Sequence, residues 1–61
     1  MNQLLTLKTV AARTETSVAY WRKAIARRAI AVTRIGSAVR IDEASLQAYL
    51  AERSRQARER T

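Results

Sequence analysis

The chain has no cysteine, no histidine, no proline and no phenylalanine, and its one glycine is Gly36. Without cysteine, neither a disulfide nor a thiolate metal site can reinforce the core. Without histidine, the usual general base and the usual zinc ligand are both missing. Ser17, Ser37, Ser45 and Ser54 therefore have no imidazole to activate them. Lys8 and Lys23 sit in no apolar pocket that the sequence shows, and the five carboxylates form no evident pair. The expectation is a protein that is not an enzyme, with no catalytic residues, no metal, no cofactor and no small-molecule substrate. No apolar run approaches the ~20 residues of a membrane span. The first residues, MNQLLTLKTV, carry no charged leader before a cleavable apolar stretch. The lack of cysteine suits a cytosolic protein.

What is present is positive charge. The chain has 61 residues with 12 Lys and Arg against 5 Asp and Glu, a net charge of +7. That length makes one domain of marginal stability. Charge in such excess speaks of partners: nucleic acid, an acidic protein or an anionic surface. All but Lys8 and Lys23 of the basic residues are arginine, whose planar fork fits phosphates and guanine edges. Arg22, Lys23, Arg27, Arg28, Arg34 and Arg40 lie between Thr16 and Ile41, with Arg13 just upstream. That segment reads as a basic helix followed by a basic hairpin, parts that can fill neighbouring grooves of duplex DNA.

Three helices and one hairpin are predicted. The first helix runs from Leu7 to about Arg13, with Thr6 as N-cap and Leu5 against Val10 as a hydrophobic staple. Leu7, Val10 and Ala11 share a face. Polar residues Arg13 to Thr16 break it. The second helix is capped by Thr16 or Ser17 and continues to about Arg28. At 100° per residue, Trp21, Ala24, Ile25 and Arg28 fall on one side. Ala19, Lys23 and Ala26 lie opposite, flanked by Arg22 and by Tyr20 and Arg27. Trp21 is the main core residue in a chain without phenylalanine, although an aromatic in such a setting can also stack on a base.

Ile30 to Ile35 and Val39 to Ile41 are rich in β-branched residues. If Thr33, Ile35, Val39 and Ile41 share a face, Ile35 pairs with Val39 across a three-residue loop, Gly36-Ser37-Ala38. Arg34 and Arg40 then point away from the body. The third helix starts at Asp42 as N-cap, with Leu46, Tyr49 and Leu50 as its core face. Residues 1–52 form the domain, and 53–61 a basic tail, either a helical extension or disordered.

The segments LLTLKTVAA, TSVAYWRKAIARR, TRIGSAVRI and DEASLQAYL, in this order, resemble the small winged helix-turn-helix domains of phage excisionases. These are similar in turn to the DNA-binding headpiece of MerR-type regulators. The resemblance covers residues 4 to about 52. It implies a mainly α fold with a two-stranded β-hairpin wing. It also implies a recombination directionality factor that bends attachment-site DNA and turns an integrase toward excision. The chain departs from the pattern where Thr14-Glu15-Thr16 replaces an apolar–Gly–apolar turn. It departs again where Arg28 and Ala31 replace Gly and Pro; a non-glycine residue in a left-handed conformation there would be strained.

On this reading the second helix lies in the major groove, reaching DNA with Thr16, Ser17, Ala19, Tyr20, Arg22, Lys23 and Arg27. Thr16 and Ser17 favour a phosphate at the helix start. Arg22 and Lys23 reach base edges or nearby phosphates, and Arg27 clamps a phosphate. Tyr20 is either a phosphate ligand or a rim residue packed beside the core. Arg34, Ser37 and Arg40 form the wing contacts, which enter the adjacent minor groove or run along its phosphates. The expected partners are double-stranded DNA, an integrase and neighbouring copies of the protein, in the cytoplasm and nucleoid of a bacterial host. The chain stops too soon for the dimerisation helix and effector domain of a MerR-type factor. A small phage or plasmid transcriptional regulator on the same fold is the alternative. A membrane-active basic peptide is the distant one, opposed by the switch from helical to alternating period at Ile30 to Ile41.

Overall fold

In the computed structural model, which describes residues 3–59, the chain begins with a short strand. β1 (Leu4–Leu5) leads into α1 (Leu7–Thr14), α2 (Val18–Ala26), the hairpin β2 (Thr33–Ile35) and β3 (Ala38–Asp42), and then α3 (Glu43–Glu59). The caps are those expected. Thr6 accepts from the Thr9 amide, Ser17 from the Tyr20 amide and Asp42 from the Ser45 amide. Each gives an orphan donor of a first helical turn its acceptor. The Thr6 hydroxyl also donates to that of Thr9 at 2.9 Å, in the place where a capping box would have glutamate.

The sheet has three strands in the order β1-β3-β2. β1 has no counterpart in the sequence expectation: two residues carry no alternation that a sequence pattern can register. Leu4 pairs with Asp42 and Leu5 with Ile41, and the Glu43 amide donates to the Gln3 carbonyl at 2.8 Å. Gln3, Leu4 and Leu5 are thereby joined to the junction of β3 and α3. Arg13 reinforces this junction from α1 with a two-pronged ion pair to Glu43, at 2.8 and 3.1 Å.

The hairpin register corrects the sequence expectation. Thr33 pairs with Arg40, Arg34 with Val39 and Ile35 with Ala38. The loop therefore has two residues, Gly36-Ser37. Gly36 has φ 59 while Ser37 stays at negative φ, the sign pattern of a type II′ turn. That turn matches strand twist and places glycine first. Cross-strand partners share a face, so Arg34 lies with Val39 and Ile41, and Thr33, Ile35, Ala38 and Arg40 lie on the other. Ile35 is 55 % exposed and leaves the expected core. Its place is taken by Ile30, 7 % exposed, and by Val32, packed against the core from the segment before β2.

The core gathers one or more residues from every helix. Val10 and Ala11 come from α1, Trp21 and Ala24 from α2, Leu46 and Tyr49 from α3, and Leu5, Ile30 and Ile41 from the rest. Trp21 is 1 % exposed, so its role is packing. Its ring meets Tyr20 at 5.1 Å and Tyr49 at 5.2 Å, both edge-on, the arrangement that the ring quadrupole favours. Three helices with a β-hairpin beside the second make a winged helix-turn-helix.

Candidate nucleic-acid interface

The turn between α1 and α2 and the turn that closes α2 ahead of the hairpin are both built without glycine. At the end of α1, Glu15 adopts φ 54 and ψ 43. The Thr16 amide then donates to Ala11 O at 2.9 Å and the Glu15 amide to Ala12 O at 3.3 Å. At the end of α2, Arg28 adopts φ 58. The Ala29 amide donates to Ala24 O and the Arg28 amide to Ile25 O, each at 2.9 Å. These are two Schellman motifs, which satisfy carbonyls left over at a helix end. The expected strain is thus present at both connections, at Glu15 and at Arg28, since a Cβ crowds the carbonyl in this conformation. The left-handed turn also swings Arg28 off the helical phase. It is exposed, where phase alone sets it beside Trp21.

The angle between the helices is further fixed by hydroxyls. Trp21 Nε1 donates to Thr16 Oγ1 at 2.7 Å, and Thr16 and Thr14 hydroxyls meet at 2.7 Å. Thr14 also donates to Val10 O at 2.8 Å. Thr16 therefore serves the turn and the core tryptophan, and Ser17 alone caps α2.

The outer face of α2 is as the phase analysis draws it: Ala19, Arg22, Lys23, Ala26 and Arg27 are all exposed. Tyr20 is half-buried, and its phenol meets that of Tyr49 at 2.6 Å. This pair joins the outer side of α2 to α3. Burial, and then the bond to Tyr20, push the Tyr49 phenol up from its ordinary value. Arg53, one turn further along α3, sits 5.9 Å over the Tyr49 ring, a contact between helical neighbours four residues apart.

Helix and wing share a cleft of about 360 Å³ lined by Leu7, Arg22, Ile25, Ser37 and Val39. Arg22 and the wing tip thus border the same space. Arg34 is exposed on the hairpin face that carries Val39, while Arg40 lies on the opposite face with Thr33. Arg40 is half-buried and donates to its neighbour's carbonyl, Val39 O, at 2.9 Å. The expectation that both arginines leave the same side of the hairpin is corrected: the two-residue turn divides them. Between Thr16 and Ile41 there is no acidic residue at all, against six basic ones; Glu15 and Asp42 stand immediately outside. The acids that pair in the structure, Glu43 with Arg13 and Glu52 with Arg55, belong to the flanking helices. The helix and wing are left uniformly positive.

A helix presenting small and basic residues, beside a basic hairpin and above a two-helix turn, defines a helix-turn-helix DNA-binding protein. The comparison with known families agrees: the model of the helix-turn-helix domain matches residues 4–54, and the chain belongs to that family. No curated protein and no solved structure matches it. Among the described residues, no helix is long and apolar enough to cross a membrane.

Proposed function

We propose that the protein is an excisionase, a non-catalytic architectural factor that bends attachment-site DNA and directs an integrase toward excision. The observation that supports this reading is the segment from Thr16 to Ile41, α2 through the wing, with six basic and no acidic residues, in which Arg22 and Ser37 border one cleft. A small module that occupies a major groove with α2 and the next minor groove with its wing changes the path of the duplex between them. In the complex Arg22 and Lys23 reach base edges or nearby phosphates, and Arg27 a phosphate. Ser17 and Ala19 lie at the groove end of α2, while Arg34, Ser37 and Arg40 follow the wing's groove. Tyr20 and Thr16 act through the scaffold, holding α2 to α3 and to the turn. Neighbouring copies on adjacent sites and an integrase are the protein partners of this reading.

The experiment is footprinting with a circular-permutation bending assay on DNA flanking the gene. Tandem protected repeats beside an integrase attachment site, with a bend, are the expected result. A single protected operator over a promoter, without a bend, would replace the excisionase with a transcriptional regulator on the same fold. Lys23→Ala and Arg22→Ala, with folding confirmed, should each weaken duplex binding. Unchanged affinity in both would remove α2 as the reading helix.

A further inference from the structure

We infer that Ile35 is an apolar wedge that enters the minor groove at the wing tip and opens a base step there. This rests on the reading of the wing as a minor-groove element and goes beyond it by assigning the source of the bend to one side chain.

The hairpin register is the first observation. With a two-residue turn, Ile35 is the last paired residue before Gly36, on the face turned away from the core. It is 55 % exposed, and the other large apolar side chain exposed among the described residues, Leu4, is at 42 % on β1. More than half of Ile35 stays in water, so most of its apolar surface adds nothing to the fold. Its cross-strand partner is alanine, too small to cover it.

The second observation is what surrounds it. Arg34 precedes it, and Arg40 lies two pairs along the hairpin through Thr33. No acidic residue occurs anywhere from Thr16 to Ile41. A surface of this charge complements a polyanion and repels a basic protein, including a second copy of this chain.

The third is size. A single isoleucine in this state offers on the order of 100 Å², against ~800 Å² per partner in a stable protein interface. An isolated apolar side chain at the tip of a positive hairpin is too small for a protein contact. It is the size of the side chains that partly unstack one base step and kink a duplex.

The test uses a short duplex selected by the wild-type protein from a randomised pool, with 2-aminopurine placed in turn at each adenine of the segment the wing protects. Wild-type protein should raise the fluorescence at one step and bend the duplex. Ile35→Ala should lose that rise and at least half of the bend. Burying the isoleucine between bases stabilises the complex by nearly as much as unstacking the step costs, so the affinity of Ile35→Ala should change less than about tenfold. Its urea midpoint should fall by no more than a roughly fivefold rise in the unfolding constant implies, because the side chain is more than half exposed. Ile35→Leu should keep the bend. If Ile35→Ala bends and brightens the probe like the wild type while Arg34→Ala and Lys23→Ala lose affinity, the wedge is wrong and the interface stands. If Arg34→Ala also binds unchanged, the wing reading itself falls and the wedge with it. A change in the sedimentation of Ile35→Ala in the absence of DNA would assign the residue to self-association and overturn the proposal.

Discussion

Replacing Arg28 by glycine should make the protein more stable, although Arg28→Gly removes a full side chain. Arg28 holds φ 58 in the Schellman turn closing α2; its amide donates to Ile25 O and the Ala29 amide to Ala24 O, each at 2.9 Å. A left-handed L-residue costs roughly 1–2 kcal/mol relative to the right-handed region. Glycine adopts it freely but gives up roughly 0.5–1 kcal/mol in chain entropy. The exposed guanidinium contributes little packing to offset this. The net gain is about 1 kcal/mol, or ~4–8 °C in Tm for a domain of this size. Urea unfolding followed by circular dichroism should show a higher midpoint with an unchanged slope. Arg28→Ala keeps the Cβ and removes the charge, so it separates relief of strain from relief of repulsion among the six basic residues. Its midpoint should stay near that of the wild type. Glu15→Gly, at φ 54, should add a similar gain. The two turns share no hydrogen-bond partner, so the double variant should gain about 2 kcal/mol. A lower midpoint for Arg28→Gly, or an equal gain for Arg28→Ala, would refute the assignment of strain to these two residues.

Other outcomes follow from the same contacts. Thr16→Val keeps the shape but orphans Trp21 Nε1, now bonded at 2.7 Å; it should cost about 1–3 kcal/mol and shift the tryptophan emission, whereas Thr16→Ser should do neither. Trp21→Ala should cost ~3–5 kcal/mol, enough to unfold a domain so small, as loss of the far-ultraviolet helical signal will show. Glu43 and Glu52 are held below the ordinary 4.5, Glu43 first by its bond from Arg13 and Glu52 first by its bond from Arg55. Their charged forms are favoured in the folded state, so their contribution is complete above that ordinary value and is lost as pH falls through the lowered folded values. Urea midpoints should be level above about pH 5 and fall below it, and Glu43→Gln should remove part of that fall. Arg34→Ala should weaken all duplex sequences alike and lower the salt slope by about one; a loss confined to one sequence would make Arg34 a base reader.

The helices are legible in the sequence because their signals are local. Thr6, Ser17 and Asp42 are short polar residues ahead of apolar residues at helical spacing, and each caps as its chemistry dictates. Trp21 and Ala24 share a phase, and both are buried. The hairpin's existence is legible from its β-branched residues and Gly36, but its register is not. Parity requires knowing which apolar residues are inside, and the β-branched pattern counts Ile35 among them. The structure takes Ile30 and Val32 instead, which free Ile35 and allow the two-residue turn that glycine favours. β1 escapes the sequence because a two-residue strand is defined only by its partner. Arg28 is misplaced by helical phase because the phase does not extend past the helix end.

Glycine and proline are the usual means of setting the angle between a recognition helix and a wing, and this chain has neither at those places. The structure shows the substitute. After the turn at Arg28, Ile30 enters the core and Val32 packs against it, so the path to β2 is pinned by side-chain burial instead of by backbone restriction. On the other side of the hairpin, β3 is held by β1 through Leu5 and Ile41, and α1 clamps its end through Arg13 and Glu43. The wing therefore has one flank tied to the core by two apolar residues and the other tied to the sheet. What remains exposed at its end is Arg34, Ile35, Gly36 and Ser37. Packing holds the base of the wing, and its tip is exposed. That division is what a groove-binding hairpin requires: a fixed angle where it leaves the domain, and side chains at the tip that the fold itself does not use.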